Sequence, residues 1–344
     1  MKKSKSLILL LILMSILLTG CRSNYHTGAN TVTNEKEQEV ENDEAIGKSS
    51  GGENAKVAEQ MQDTTGQKQD TTEGTSDTSE QTKKEIPYAR FENCLYVWED
   101  KVNPLLLHGY VTLSENVENQ TYYYDKTDVI ILEKKANYPD VVEDSNSKIK
   151  KAIEVENKRL KDMFDAQVEE ALESANSDVQ GVIPGANKEP NKITPYEFDN
   201  SWQVIRNDEK MLTIVSSIYS YAGGAHPNLY KQVTSYNPVE GKRLDIGSIT
   251  TNEKEFKQFV EDALNAYVVD NKCSDYLFGE NGYKEAFKNW DKNWWILDGN
   301  LYIGFNTYDI APYVAGPLVI PVDITKAKGL LNDYGKELIK IGSD

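Results

Sequence analysis

The hydrophobic and polar positions of the chain change period several times, and each period predicts a different element. Apolar residues at three- and four-residue spacing predict a long amphipathic helix that follows the capping candidates Ser145-Asn146-Ser147; they are Ile149, Ile153, Leu160, Met163, Phe164, Val168, Ala171 and Leu172. A second helix is predicted from Asn252 to Val268, with Phe256, Phe259, Val260, Leu264 and Tyr267 on its inner face. We expect the first helix to pack against a sheet.

Strand-forming residues dominate the segments around these helices. The expected strands are Arg90 to Val97, Tyr110 to Leu113, Val129 to Lys134, Trp202 to Ile205 and Val319 to Val322, with Asn116, Asn119 and Asp125 as turn residues between the first three. Asp298-Gly299 predicts the two-residue turn of a hairpin from Ile296 to Ile303. The pattern predicts an α+β fold with a mostly antiparallel sheet and two long amphipathic helices.

The segment from Met211 to Tyr236 predicts two further strands around a shaped turn. Val, Ile, Thr and Tyr dominate both of its halves, and the turn between them is Gly223-Gly224-Ala225-His226-Pro227. Two consecutive glycines permit backbone angles that other residues avoid, so we expect a fixed turn rather than a linker. His226 is expected to hydrogen-bond backbone and hold this turn, because no second histidine stands at a metal-ligand spacing from it.

No catalytic constellation is recognisable in the sequence. Nucleophile-elbow, phosphate-loop and zinc patterns are absent, and no spacing singles out two of the many carboxylates for hydrolysis. We therefore expect no catalytic residue, no bound metal and no cofactor, with a cell-wall hydrolytic enzyme as the third and weakest of the functions considered.

The N-terminus has the pattern of an exported lipoprotein. Three lysines precede an apolar run from Leu7 to Leu18 that is too short to span a membrane, and Leu18-Thr19-Gly20-Cys21 resembles a bacterial lipobox. Residues 1–20 are predicted to be a signal peptide and Cys21 the lipidated residue. The mature protein is then expected on the extracytoplasmic face of the cell membrane, held there by its lipid.

Composition then divides the rest of the chain. Residues 21–85 are polar and acidic and are predicted to be a disordered linker, because they cannot bury enough apolar surface to offset the entropy of ordering. Glycines and prolines between Gly181 and Pro195 suggest an internal boundary, which gives subdomains 86–185 and 186–344. The chain carries -17; without the three leader lysines and the -7 of residues 22–86, residues 87–344 carry -13. This acidity argues against nucleic acid as a partner.

Two motifs carry a resemblance to a known family. The first is Gly223-Gly224-Ala225-His226-Pro227, and the second includes Tyr308, Ile310, Ala311, Pro312, Tyr313 and Gly316. Together they resemble the extracytoplasmic domain of RsiV-type anti-sigma factors, a module that is similar to the region before the catalytic domain of PdaC-type peptidoglycan deacetylases. The resemblance covers Val182 to Asp344 and, more loosely, the part from Tyr138-Pro139 onward. The two subdomains are accordingly expected to be PdaC-like and RsiV-like.

What the resemblance implies is an envelope binding or sensing module. RsiV-type domains bind lysozyme, so a lysozyme-like protein is the first expected ligand. Neither the anti-sigma role nor the deacetylase activity is carried over, because no sigma-binding segment precedes the apolar run and no deacetylase domain follows residue 344.

Two further features leave alternatives open. Trp290, Trp294 and Trp295 could stack on the sugar rings of peptidoglycan or another glycan, or they could form the core of the hairpin. Cys94 and Cys273 could form a disulfide outside the cytoplasm, or remain a buried pair of free thiols. Sequence spacing decides neither question.

Overall fold

The computed structural model describes residues 86–92, 94–100, 103–142, 147–182 and 194–340. In chain order its strands are β1 (Arg90–Phe91), β2 (Leu95–Val97), β3 (Leu113–Tyr123), β4 (Ile130–Val141), β5 (Tyr196–Asn207), β6 (Leu212–Tyr221), β7 (Asn228–Asn237), β8 (Lys242–Arg243), β9 (Trp294–Leu297), β10 (Asn300–Phe305) and β11 (Leu318–Asp323). Its α-helices are α1 (Ser147–Val182), α2 (Ile246–Ile249), α3 (Glu253–Asp270), α4 (Glu280–Lys288) and α5 (Asp333–Leu338).

These strands form two sheets. The first has six strands in the order β3-β4-β5-β6-β7-β8, and the second has five in the order β1-β2-β11-β10-β9. All neighbouring strands are antiparallel except β4 and β5, which are parallel because α1 carries the chain back to the same end of the sheet. The predicted α+β class with mostly antiparallel sheet and two long helices is confirmed.

The layers stack as helix, sheet, sheet and helix. One face of the six-stranded sheet packs on α1, through residues such as Phe164, Phe198 and Ile218. Its other face meets the five-stranded sheet around Trp98, Val215, Val233, Trp295, Tyr302 and Val319. The far side of the five-stranded sheet is covered by α3 and α4, whose apolar residues share one cluster with alternate residues of β9, β10 and β11. Successive side chains along each strand point to opposite faces of its sheet, so alternate residues pack into two different cores.

Both long helices follow their predicted periodicity. In α1 the predicted inner positions are buried or packed against the core, and in α3 the side chain of Asn252 caps the helix by accepting a hydrogen bond from the backbone N–H of Glu255 at 3.3 Å. The Asp298-Gly299 turn joins β9 to β10, and both residues have positive φ, as a tight hairpin turn requires. Local signals were sufficient for these elements.

Two strand predictions were wrong in detail. Asn116 and Asn119 lie inside β3 instead of forming turns, because β3 is an edge strand whose exposed positions accept polar residues while its backbone pairs with β4. The segment from Arg90 to Val97 is two short antiparallel strands, separated by a turn in which Glu92 has positive φ. Asp125 does lie in the turn between β3 and β4.

The predicted boundary after residue 185 falls within the six-stranded sheet. Residues 183–193 lie outside the described part of the chain, but β4 before them and β5 after them pair in register from Leu132 with Tyr196 to Ala136 with Asn200. The described residues also belong to one compact unit. The two predicted subdomains therefore share a sheet.

Candidate functional site

The first sequence motif forms a shaped turn between β6 and β7. Gly223 and Gly224 have φ of 77° and 99°, in the left-handed region that favours glycine. Gly223 lies over the ring of Tyr196, and the hydroxyl of Tyr221 donates to the carbonyl of Gly224 at 3.4 Å. Tyr196 and Tyr221 therefore both contact the turn and help to hold its conformation.

The second motif forms the loop between β10 and β11. Ile310, Ala311 and Ala315 are buried and anchor it in the core under α3, and the backbone N–H of Phe278 donates to the carbonyl of Ile310 at 2.8 Å. Tyr308 has φ of 70° although it is not a glycine, and Gly316 has φ of 65°. The anchored loop leaves the side chains of Val314 and Tyr308 exposed at 85% and 51%.

The two motifs meet at His226. Its ring stacks on Tyr313 with centroids 3.7 Å apart, and the hydroxyl of Tyr313 donates to the carbonyl of Pro227 at 2.9 Å. Nδ1 of His226 lies 3.0 Å from the same carbonyl, which only accepts, so Nδ1 carries the proton and Nε2 accepts from the hydroxyl of Tyr308 at 3.2 Å. His226 holds the turn through backbone, as predicted. We call His226, Tyr308, Tyr313 and Val314 the aromatic rim.

A groove on the open half of the six-stranded sheet adjoins this rim. Register places Glu133 beside Glu197, Lys135 beside Asp199, and Asp199 beside Tyr219. Alternate residues of the same strands face α1, so these side chains share the opposite face. The cavity above them has a volume of about 390 Å³ and is lined by Asp100, Glu133, Lys135, Glu197, Phe198, Asp199, Ser201, Ser217, Tyr219 and Leu229. We call this cavity the acidic groove.

The pKa shifts of Asp199 and Tyr219 show which charged and aromatic groups of the groove and the rim are neighbours. Burial raises the pKa of Asp199, and Lys135 opposes this shift only in part. Burial also raises the pKa of Tyr219, with smaller contributions from its neighbours Glu197 and Tyr313. Tyr219 therefore lies between a carboxylate of the groove and a ring of the rim, and the two surfaces form one site.

A buried ion pair closes one wall of the groove. The side chain of Lys231 is 1% exposed, and its Nζ donates to Oδ1 of Asp100 at 2.6 Å. Nε2 of Gln203 and Oγ of Ser217 donate to the same oxygen at 2.8 and 3.1 Å, and the ring of Trp98 lies 5.6 Å from Nζ. Burial lowers the pKa of Lys231, while Asp100 opposes the shift. Three donors thus fix the carboxylate of Asp100 at the groove.

Two asparagines that flank the β9–β10 hairpin, Asn293 before β9 and Asn306 after β10, attach it to β7. The side chain of Asn306 accepts from the backbone N–H of Lys231 at 2.6 Å and donates to its carbonyl at 3.0 Å. Asn293 accepts in the same way from the backbone N–H of Val233 at 2.9 Å. These amides take the place of a neighbouring strand where β7 has none. Sequence reasoning missed them, because an asparagine after a strand reads as a turn residue.

The structure decides between the two alternatives for the hairpin tryptophans in favour of the core. Trp290, Trp294 and Trp295 are 2%, 6% and 0% exposed, so none can stack on a sugar. Trp290 packs edge-on against Phe256 of α3, and Trp295 stacks between Trp98 and Tyr302 in the interface of the two sheets. The hairpin lies between two cores, so both of its faces are covered.

The remaining predicted sites divide between described and undescribed parts of the chain. Cys94 and Cys273 are free, buried thiols that belong to the same core cluster. Cys21 lies outside the described residues. Within the described ranges, no group of three or more His, Cys, Asp or Glu side chains is arranged to hold a metal.

None of the helices among the described residues is both long enough and apolar enough to cross a bilayer.

Two family models match consecutive segments of the chain. Residues 126–229 match the family described as Deacetylase PdaC, and residues 247–325 match a protein family of unknown function, DUF3298. The first segment contains the Gly-Gly-Ala-His-Pro motif and the second contains the motif around Tyr308 to Gly316. The resemblance inferred from these motifs is confirmed, and the PdaC-like segment extends through β5 and β6.

Two solved structures of DUF3298 family proteins are similar to this chain at low sequence identity. A DUF3298 family protein from Bacteroides fragilis is 15% identical, with 65% of this chain and 94% of that chain covered and a TM-score of 0.51. One from Pseudomonas aeruginosa is 14% identical, with 65% and 95% covered and a TM-score of 0.41. No curated protein sequence matches the chain.

Proposed function

We propose that this chain, with its PdaC-like and DUF3298-like segments, is a non-catalytic binding or sensing module anchored by Cys21 outside a bacterial cell membrane. Its ligand is proposed to contact the aromatic rim and the acidic groove. The lipoprotein part of the proposal is supported by the lipobox-like Leu18-Thr19-Gly20-Cys21 after a short apolar core.

The observation that carries the proposal is the meeting of the two motifs in one exposed rim. His226 and Tyr308 are 82 residues apart, and each belongs to a different matched segment, yet they share a hydrogen bond. Both ring nitrogens of His226 are engaged in holding the loops, so the arrangement favours presentation of a surface over acid-base chemistry. Val314 and Tyr308 are the side chains it presents to a partner.

The charge of the site favours a cationic protein as the ligand. Four carboxylates line the groove together with one lysine on its floor, and Glu133 and Glu197 stand opposite each other, which costs energy that an incoming cation would relieve. Residues 87–344 add a net charge of -13 that attracts a cation from a distance. A cationic lysozyme-like protein fits the charge of the site and is also the ligand that the RsiV resemblance implies.

The test is a titration of the chain with hen-type lysozyme at two ionic strengths. Raising the ionic strength from about 0.01 M to about 0.15 M shortens the Debye length from roughly 30 to 8 Å, so we expect slower association and weaker binding. Val314→Lys places a positive charge at the centre of the rim, which repels a cation and removes an apolar contact, and should weaken binding at least about tenfold.

A matched variant controls for added charge. Val155→Lys makes the same change at a 65% exposed position on α1, on the other side of the six-stranded sheet, and should leave binding nearly unchanged. Equal affinity for Val314→Lys and the unaltered chain would contradict the proposed docking surface.

A glycan remains the second candidate through Tyr308, whose ring is half exposed beside polar groups. Soluble peptidoglycan fragments should then bind with little dependence on salt, and Tyr308→Ala should abolish their binding. Release of acetate from N-acetylated fragments at a rate that depends on Lys231 or His226 would instead overturn the non-catalytic part of the proposal.

A further inference from the structure

Cys94 and Cys273 are brought together from distant parts of the chain. Cys94 lies in the turn between β1 and β2, where its backbone N–H donates to the carbonyl of Phe91 at 3.1 Å. Cys273 follows the C-terminal end of α3, and its backbone N–H donates to the carbonyl of Val268 at 2.9 Å. Both side chains are buried in the same core cluster, and the neighbouring Cys94 thiol contributes, after burial, to the raised pKa of Cys273. The two thiols are therefore neighbours, and proximity is the first requirement for a disulfide.

The two thiols lie beside a short segment at the edge of the five-stranded sheet. β1 and β2 pair with each other through two residue pairs, and β2 pairs with β11 through two more. Beyond these ladders, the backbone N–H of Trp98 donates to the carbonyl of Pro317 at 2.9 Å, and the hydroxyl of Tyr267 on α3 donates to the carbonyl of Cys94 at 2.8 Å. The chain continues from β2 to Trp98 and Asp100, so this segment also supplies the wall of the acidic groove.

We propose that Cys94 and Cys273 form an intramolecular disulfide in the mature protein, which fastens the β1–β2 segment to the end of α3. The proposal rests on the extracytoplasmic location under Proposed function and on no assumption about the ligand. The disulfide would hold the β1–β2 segment, and through it Asp100, against the rest of the domain.

The chemistry is thiol-disulfide exchange with an oxidant that is itself a disulfide. One cysteine thiolate attacks a sulfur of the oxidant and releases one thiol, and the second thiolate then attacks the mixed disulfide and releases the other. Two protein thiols and one oxidant disulfide give one protein disulfide and two small thiols. Burial raises the pKa of the Cys273 thiol, so the reactive thiolate is disfavoured once the core has closed, and the exchange belongs to folding.

The experiment compares two preparations of the full chain in which Cys21→Ala leaves Cys94 and Cys273 as the only thiols. One is exported by a bacterial host, and the other is reduced, unfolded and refolded with oxidised glutathione. Both are unfolded in N-ethylmaleimide without reductant and mapped by mass spectrometry. We expect the peptides of Cys94 and Cys273 to be linked in both preparations.

Each outcome has a separate meaning. Alkylated thiols at both positions in the exported chain overturn the disulfide and leave a buried pair of free cysteines. If the refolded chain is nevertheless linked, the failure lies in the compartment and counts against the proposed location. If it is also unlinked, the geometry has failed and the location is unaffected.

A stability readout separates a covalent link from simple packing. Dithiothreitol should lower the thermal midpoint of the linked chain by roughly 5 to 15 °C. It should not move the midpoint of the double variant Cys94→Ser with Cys273→Ser, which reports the cost of lost packing alone. An unchanged midpoint for the unaltered pair in reductant would contradict a stabilising disulfide.

Discussion

Backbone conformation at single residues shapes the aromatic rim. Gly223, Gly224 and Gly316 have positive φ, and Tyr308 adopts a similar value without being a glycine. A non-glycine residue held there costs on the order of 1 to 3 kcal/mol, and it persists only where the surrounding contacts require it. The hydrogen bond to His226 and the buried anchors Ile310 and Ala311 supply those contacts.

The first prediction concerns Gly224. A Cβ added there meets nothing within 4 Å, but φ is 99°, so Gly224→Val should cost about 1 to 3 kcal/mol through backbone strain alone. Gly329 is equally open and exposed but does not have a positive φ, so Gly329→Val is the matched control and should cost less than about 0.5 kcal/mol. Urea unfolding of both variants measures the difference, and equal midpoints would contradict the argument from φ.

The second prediction is that removing Asp100 costs more stability than removing the charge of its partner Lys231. Asp100→Ala leaves a buried ammonium without its carboxylate and should cost about 1 to 3 kcal/mol, less than a fully buried pair because Asp100 is half in water. Lys231→Met removes the charge and should cost less. Chemical unfolding of both variants tests the order, and a larger loss for Lys231→Met would reverse it.

The same pair has a predicted pH dependence. Burial lowers the pKa of Lys231, so the folded chain binds fewer protons than the unfolded chain between the lowered pKa and the usual value of about 10.5. Stability therefore gains from this group as pH rises through that window. The penalty of Asp100→Ala should shrink there, because the stranded ammonium loses its proton.

At the scale of elements, Glu156 links α1 to strands β7 and β8 of the six-stranded sheet. Its carboxylate accepts from Arg159 at 2.6 Å, from Gln232 of β7 at 2.6 Å and from Arg243 of β8 at 3.4 Å. Burial raises the pKa of Glu156, but these partners outweigh burial and the net pKa is lowered. The helix is thus attached at one end by an ionic cluster as well as by its apolar face.

The third prediction follows from that lowered pKa. A depressed folded pKa contributes stability above the unfolded value of 4.5, and the contribution is lost as pH falls through the folded pKa. Glu156→Gln should therefore cost about 1 to 3 kcal/mol at neutral pH and progressively less below about pH 4.5. Glu170→Gln changes an exposed residue of α1 and should have no effect at either pH. Urea unfolding at both pH values measures this, and a pH-independent difference would contradict it.

At the scale of the whole molecule, one N-terminal segment joins both sheets to the site. β1 and β2 form an edge of the five-stranded sheet, Trp98 packs on Gly304 where a Cβ would clash at 2.4 Å, and Asp100 then reaches the groove of the other sheet. In the chain this segment directly follows the predicted linker, so any tether would connect to the site through it.

The fourth prediction is lipidation at Cys21. Cells producing the unaltered chain should hold it in the membrane fraction, whereas Cys21→Ala should remove the acyl chains and release much of the protein or leave it unprocessed. Fractionation with detection of the folded domain measures this. Identical partitioning of Cys21→Ala and the unaltered chain would show that the lipobox prediction is wrong.

The sequence by itself determined the elements whose signals are local. The periodicity of α1 and α3, the cap at Asn252, the Asp298-Gly299 turn and the glycine turn at Gly223-Gly224 all depend on residues within a few positions of one another. The two motifs that indicate the related families were likewise visible in the sequence.

Only the tertiary structure decided which surfaces are covered and which remain open. The sequence left open whether the hairpin tryptophans are buried, and the asparagines of β3 wrongly suggested turns, because burial depends on what packs above a strand and not on the strand itself. The parallel pairing of β4 with β5 places Glu133 beside Glu197, and the fold places Asp100 on Lys231 across 131 residues. Such contacts join segments whose separation carries no periodic signal, so the acidic groove appears only once the chain has folded.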